Sequence, residues 1–428
     1  MIKTIFILLL TVTGMVTSWA QKSITTQFPL KWKTKIGVTT YRTNMRMNNG
    51  LLYIGSNGIS RESRNDELDG VYAINPKNGK IQSTYKVPFA GDNDVTGITL
   101  AENKLFFGTD NYYFFCFDVK TGQELWKYPL PYDVESTPVN HDFNQDGTMD
   151  VSFSVQGYGF YALNGLDGSV IWSQDSISSH NGNVASLLVD VNGDGIKDVV
   201  NAGRGAANSD ELAGFKMAHY GDYHFALNGK NGSILWFIES GAGIHTSPFL
   251  FETNGTKQIA LCDSYGEFKV VDLNGKLLSR SGFGYGTFSS PIMTKNHYLI
   301  FGNTSVQYSE NIMESDEYSL FPGEKATVNS VSLDEYTISA TTMIADVLGK
   351  GSMQAIGLTE QGILFIMNTD GKTLMKLQLL GKGAEASAFI RDVDGDGKLE
   401  ILIADLDGYL YCYGTNSRGK VEVGGFMD

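Results

Sequence analysis

Short apolar runs alternate with polar turns along nearly the whole chain. Six segments share one arrangement: an apolar run, a polar turn ending in Gly, and a second run. They are VYAINPKNGKI from Val71, FFCFDVKTGQELW from Phe114, FYALNGLDGSVIW from Phe160, HFALNGKNGSILW from His224, FKVVDLNGKLL from Phe268 and LFIMNTDGKTL from Leu364. Two β-type runs around a tight Asn/Asp/Gly turn predict a hairpin, and the glycine takes positive φ without steric cost. In three copies a Trp stands four residues after that glycine: Trp126 after Gly122, Trp172 after Gly168 and Trp236 after Gly232.

The turn glycines Gly79, Gly122, Gly168, Gly232, Gly275 and Gly371, with Gly419 as a last member, recur at 43 to 48 residues except for gaps of 64 and 96. The wide gap is twice the period and predicts a degenerate copy near Gly323. A period of this size with about four strands per unit marks the blades of a β-propeller. The expected fold is therefore all-β: an eight-bladed propeller of four-stranded antiparallel blades, with seven blades as the alternative. Leu30-Lys31-Trp32-Lys33 resembles the Trp-bearing fourth strand of a blade with nothing before it. The last unit, from Tyr409, has a weak fourth strand. The N-terminal strand is expected to complete the last blade, which removes exposed sheet edges.

Residues 1–20 read as a signal peptide, with Lys3, the apolar run Ile5 to Leu10 and the small-x-small site Ser18-Trp19-Ala20. Residues 21–428 form the expected single propeller domain. No Cys follows the cleavage site, so a secreted or periplasmic protein without a lipid anchor is expected, and no later run is long enough to span a membrane. The net charge of −14 disfavours nucleic acid and anionic membranes and suits cation binding. Oligomeric state is left open. Cys116, Cys262 and Cys412 lie in apolar runs and are expected to be buried thiols, since an odd, sparse set makes no disulfide framework.

The apolar strand, turn Gly and following Trp resemble the quinoprotein-type propeller repeat, over most of residues 28 to 419. Proteins with that repeat include quinone-dependent dehydrogenases and non-enzymatic assembly scaffolds. A second pattern occurs three times: DFNQDGTMD, DVNGDGIKD and DVDGDGKLE. Oxygen side chains stand at positions 1, 3, 5 and 9, and Gly at position 6 lets them converge. This suits calcium, which takes six to eight oxygens, with the carbonyl of position 7 adding one. The expected ligands are Asp142, Asn144, Asp146, Thr148 and Asp150; Asp190, Asn192, Asp194, Ile196 and Asp198; and Asp392, Asp394, Asp396, Lys398 and Glu400. An apolar strand follows each loop, which resembles the integrin-type propeller repeat, with calcium between the first and second strands of a blade. About three structural calcium ions are expected. In the related segment from Asp346, Lys350 replaces the third carboxylate, so that loop is expected to lack metal.

Long insertions at 55–70, 204–223 and 303–317 are expected on the face opposite the acidic loops. Links between blades should line a funnel there with Arg42, Asn44, Asp94, Glu135, His180, Asn183, His245 and Ser289, below His219 and Tyr220. The leading expectation is a scaffold that binds a glycan or a protein through this face. The alternative is a polysaccharide lyase, with His180, Arg204, Tyr220 and His245 as catalytic candidates. A quinone-dependent dehydrogenase is the third reading, disfavoured because the vicinal cysteine pair of that group is missing from the sequence. Serine nucleophile elbows, zinc helices and phosphate loops are missing too.

Overall fold

The computed structural model describes residues 27–60, 66–87, 91–178, 185–205, 211–212, 215–216, 221–240, 243–253, 255–264, 267–282, 289–290, 292–293, 299–300, 340–368, 373–378 and 382–426. Their regular elements are β-strands. Four consecutive antiparallel strands make each of the first three blades. Blade 1 comprises Met45–Asn48, Leu51–Ser56, Gly70–Asn75 and Lys80–Tyr85. Blade 2 comprises Ile98–Ala101, Lys104–Thr109, Tyr113–Asp118 and Glu124–Pro129. Blade 3 comprises Val139–His141, Asp150–Ser154, Phe160–Leu163 and Val170–Gln174.

Blade 4 is built on Leu187–Val189, Asp198–Gly205, Asp222–Leu227 and Ile234–Ser240, with Ile177–Ser178 added beside its second strand. Blade 5 comprises Phe249–Thr253, Thr256–Cys262, Glu267–Val271 and Leu277–Gly282. Blade 6 comprises Met343–Ala345, Gln354–Leu358, Ile363–Asn368 and Thr373–Gln378. Blade 7 takes Phe389–Arg391, Glu400–Ala404 and Tyr409–Gly414 and is completed by Leu30–Lys35, paired antiparallel to Tyr409–Gly414. The expected closure by the N-terminal strand is thus observed.

Seven four-stranded blades are complete among the described residues, the alternative count and not the eight first expected. The copy placed near Gly323 lies outside the described residues. A short ladder, Ile292–Met293 with Leu299–Ile300, stands between blades 5 and 6, where Ile292 packs with Ile344, Ala355 and Phe365. A relay of backbone amides donating to hydroxyls passes through it: Ala185 to Ser247, Ser247 to Ser290, Ser290 to Thr341 and Thr341 to Ser387.

Gly419 is not the turn of a last hairpin. Lys420 accepts the amide of Asp346, and Val421–Val423 pairs with Met343–Ala345 as a fifth strand of blade 6. Beyond it Phe426 is buried and its carbonyl accepts from Arg46 in the first strand of blade 1. First strands line a propeller's axis, so residues 421–426 run along the wall of the axial cavity, whose volume is about 540 Å³.

The core is divided into layers between neighbouring blades, because each sheet buries apolar residues on both faces. Phe114 of blade 2 and Phe153 of blade 3 stack with centroids 3.9 Å apart. A repeated Trp then hooks four of these layers from outside. Trp32 Nε1 donates to the Pro76 carbonyl at 2.7 Å, Trp126 to Gly165 at 3.2 Å, Trp172 to Gly229 at 2.7 Å and Trp236 to Leu273 at 3.0 Å. Each indole lies over the turn glycine of the next blade: Gly79, Gly168, Gly232 or Gly275. A Cβ on Gly232 would come within 2.7 Å of the Trp172 ring. The outer strands of blades 1, 5 and 6 have no Trp; at the junction of blades 1 and 2, Gly122 meets nothing within 4 Å. There the Tyr85 hydroxyl makes the equivalent bond, to the Val119 carbonyl at 3.0 Å.

Gly232→Ala therefore combines strain at φ +71° with a ring collision, and an expected cost of about 3 kcal/mol. Gly122→Ala, at φ +72° but in open space, is expected to cost about 1 kcal/mol. In a Trp172→Ala background the Gly232→Ala cost should fall to the Gly122→Ala level. Urea unfolding of the four variants checks this, and strict additivity of Gly232→Ala and Trp172→Ala would contradict the hook.

Candidate functional site

The three acidic loops join first and second strands in blades 3, 4 and 7, on one face of the ring. In each, the first Asp turns inward and accepts loop amides. Asp142 accepts from Asp146 and Gly147, Asp190 from Gly193, Asp194 and Gly195, and Asp392 from Gly395 and Gly397. The fifth position accepts from the seventh: Asp146 from Thr148, Asp194 from Ile196 and Asp396 from Lys398. Asn144 and Asn192 point their amides at Asp146 and Asp194, at 3.0 and 3.1 Å.

Position 9 serves mainly as a staple. Fully buried Asp150 accepts the amides of Phe143, Asn144 and Gly165; Asp198 accepts those of Val191, Asn192 and Gly229. Each carboxylate thereby ties its loop to the turn between the third and fourth strands. In the Asp346 loop of blade 6 the neutral Gln354 fills that position, accepting from Leu348 at 3.1 Å, while Asp346 still accepts from Lys350 and Gly351. The loop shape therefore survives where the carboxylates are reduced to one.

The third loop has an internal cation that sequence reasoning missed. Lys31, on the closing strand, donates to Asp394 at 2.5 Å and to Glu400 at 2.8 Å. Burial works against its charge, but these two hydrogen bonds outweigh burial and hold its pKa above the ordinary range. Glu400 is pushed up by burial. One oxygen each of Asp392, Asp394 and Glu400 lies within 4.8 Å of the others.

The opposite face carries the loops between second and third strands and the links between blades. Of the catalytic candidates, His180 and Tyr220 lie outside the described residues, as do His219 and Asn183. Arg204 is committed to a two-pronged ion pair with Asp222, both contacts at 3.1 Å, across neighbouring strands of blade 4. His245 lies half-buried in the link between blades 4 and 5. Two residues expected in the funnel lining are structural. Asn44 is buried and exchanges two 2.9 Å hydrogen bonds with the backbone of Ile98, and Ser289 is fully buried. Arg42 pairs with Glu135 and bonds the Tyr41 hydroxyl at 2.9 Å.

Two groupings on this face were not foreseen. Tyr112, Tyr132 and Tyr158 come from two strand-connecting loops and a link, and each is 40 to 48% exposed. Their rings follow one another at 5.4 and 6.3 Å between centroids. Tyr112 holds φ +63°, an unusual conformation for an aromatic residue and one that clusters at binding sites. Beside them Asp69, Asp92, Asp94, Asp110 and Asp133 form an acidic pocket. Burial first, and then neighbouring carboxylates, push Asp94 up to about 9 and Asp110 up to about 8, although Arg42 draws Asp110 down. Burial likewise raises Asp69 and Asp133 to about 6.

Cys116, Cys262 and Cys412 are free and buried, as expected. Among the described residues no helix is long and apolar enough to cross a membrane.

Residues 67–247 match the family described as outer membrane protein assembly factor BamB, and residues 355–422 match the lambda-carrageenase β-propeller domain. The quinoprotein ethanol dehydrogenase of Pseudomonas aeruginosa is 31% identical over 110 residues, which is 26% of this chain and 17% of that protein. The corresponding Pseudomonas putida enzyme is 31% identical over 113 residues, with the same coverage. The matched stretch is thus under a fifth of these relatives' length. Among solved structures, BamB from Moraxella catarrhalis superposes with a TM-score of 0.55 at 11% identity, covering 90% of this chain and 99% of that one. Quinohemoprotein alcohol dehydrogenase from Comamonas testosteroni gives 0.58 at 14% identity, covering 92% and 77%. The chain carries a quinoprotein-like propeller, and at these identities the superpositions establish the fold alone.

Lys31 tests the link between the acidic face and ring closure. Lys31→Met leaves Glu400, 1% exposed, without its cation, at an expected cost of about 2 kcal/mol. Adding Glu400→Gln should recover about half of that. Equal stability of Lys31→Met and wild type in urea would show that the pair contributes nothing to closure.

Proposed function

We propose that this protein is an exported propeller scaffold that binds a glycan on the long-loop face, with calcium as a structural ion in its acidic loops. The observation that carries the ligand assignment is the exposed strip of Tyr112, Tyr132 and Tyr158. Aromatic faces carry negative quadrupole charge, and the C–H faces of sugar rings are apolar and weakly positive, so the two stack while tyrosine hydroxyls remain hydrated. Exposed contiguous aromatics on loops of a rigid scaffold mark binding surfaces. The match to the propeller of lambda-carrageenase supports a glycan as the ligand class. The assembly-factor match covers blades 2 and 3, which carry the strip, and supports a protein segment as the second.

The lyase reading loses support because Arg204, its candidate for neutralising a substrate carboxylate, is already neutralised by Asp222. The quinone-dependent dehydrogenase reading rests on a stretch that is a small part of those enzymes. Export rests on the charged start and short apolar run of residues 1–20.

Calcium suits the first two loops best. They offer oxygens from Asp142, Asn144 and Asp146, and from Asp190, Asn192 and Asp194, and among the described residues no lysine forms an ion pair with them as Lys31 does at the third. The ion would neutralise the converging carboxylates and fix the loop against the blade, so its binding adds to stability by linkage. Chelation is accordingly expected to lower the melting temperature by several degrees, and Asp194→Ala to reproduce part of that loss. A melting curve unmoved by chelator would remove calcium from the reading.

On arrays of neutral and acidic oligosaccharides, the mature protein should bind without turnover. Tyr132→Ala should weaken binding about tenfold, as loss of a central aromatic anchor does. Unchanged affinity in both Tyr132→Ala and Tyr158→Ala would reject the strip as the site, and unsaturated products in the same samples would establish a lyase.

A further inference from the structure

We propose that Asp92, Asp94 and Asp110, with the side-chain oxygens of Asn57 and Asp69 beside them, form a further calcium site, on the face opposite the acidic loops. This goes beyond the glycan reading and does not depend on it. One carboxylate oxygen from each of the three aspartates lies within 4.8 Å of the others. Oxygens that share one calcium at about 2.4 Å stand at most about 4.8 Å apart, so the pocket already has the required size.

The second observation is a set of buried oxygens with no donor. Asp94 is 3% exposed; its Oδ2 accepts from Asn57 at 3.1 Å, while its Oδ1 has no hydrogen-bond partner. Asp69, also 3% exposed, accepts the Asp66 amide through Oδ2, while its Oδ1 has no partner outside the acidic cluster, where Asp94 is its neighbour. The Oδ1 atoms of Asn57, Asp92 and Asp110 are likewise without one. Buried carboxyl oxygens without a donor are costly, and carboxylates gathered this closely repel one another. Arg42 bears on Asp110, but its guanidinium already serves Glu135 and Tyr41.

A cation settles this deficit. Every donor is a hard oxygen, with no imidazole or thiolate, which selects calcium or magnesium over zinc and copper. Three carboxylates gathered from a link and a loop, with Asn57 and Asp69 beside them, suit calcium's large, flexible shell better than magnesium's strict octahedron. Asp92 and Asp110 are only half-buried and give the ion its way in. The carboxylates come from blade 2 and the link before it, with Asn57 and Asp69 of blade 1 beside them, so the ion would sit at the junction where Tyr85 replaces the Trp hook.

The test uses the whole protein, stripped with chelator and dialysed against calcium chloride, with bound calcium counted by mass spectrometry. Asp94→Asn is expected to reduce the count by one per chain, and Asp110→Asn to weaken that site about tenfold or more. A variant with Asp142, Asp190 and Asp392 all changed to Asn should still bind one ion, and lose it when Asp94→Asn is added. In chelator, Asp94→Asn should melt no lower than wild type, because the amide keeps the carboxyl's shape and its acceptor for Asn57 and adds no charge to the pocket; this separates lost binding from lost folding. An unchanged count in Asp94→Asn, or preference for magnesium over calcium, would overturn the proposal. If only the acidic-loop variant loses calcium, the calcium-loop reading stands and this one fails.

Discussion

At four of its junctions the ring depends on a contact between an outer strand and the next blade, an indole lying over a glycine and donating to a carbonyl of that glycine's turn. A propeller blade is a small sheet with little core of its own, so stability comes from the layers between blades. Those layers are non-directional apolar surfaces that would tolerate sliding. The Trp hook adds direction, because its N–H finds a carbonyl in one register only. Glycine is required twice over at Gly79, Gly168, Gly232 and Gly275, once for positive φ and once to let the ring approach. The closing strand carries the same device in Trp32, so the ring closes with the contact that joins its interior blades.

The two faces solve opposite electrostatic problems. On the acidic-loop face most carboxylates are answered by amides of their own loop. Gln354 does the same work without charge in blade 6, which shows that the loop's shape is held by hydrogen bonds first. Lys31 answers the third loop from the far end of the sequence. On the opposite face the Asp94 pocket gathers carboxylates whose oxygens the fold does not satisfy. Structural groups are normally satisfied, and an unmet, buried set is the kind that functional sites retain.

How much of this was legible in the sequence follows from range. The hairpins, the Trp four residues after a glycine and the DxNxDG-type loops are written in fewer than fifteen residues each, and the structure places them as expected. Ring closure was legible because Trp32 is a fragment of the same local pattern. Tyr85 was not, because its bond to Val119 joins a strand to the next blade without repeating the Trp. Tyr112, Tyr132 and Tyr158 stand about one half-blade apart in sequence, and only the stacking of blades 2 and 3 aligns them. Asp92, Asp94 and Asp110 follow no loop motif, and Lys31 with Asp394 spans nearly the whole chain. Gly419 misled because its local context imitates a turn, while its strand partner lies in blade 6.

The course of residues 421–426 bears on where a ligand is met. The expected funnel lining pointed to the axis, but there Val423 is paired to the inner strand of blade 6 and Phe426 is held by Arg46. These contacts commit part of the axial wall to the protein's own chain. Arg42, Asn44 and Arg204 are also committed, to Glu135, Ile98 and Asp222. The rim over blades 2 and 3 leaves an aromatic strip to solvent, headed by a strained tyrosine and standing beside an acidic pocket. A ligand bound there, as proposed, would meet a rigid base and cost little conformational entropy in tyrosines already stacked together, which is the condition under which a loop surface binds well.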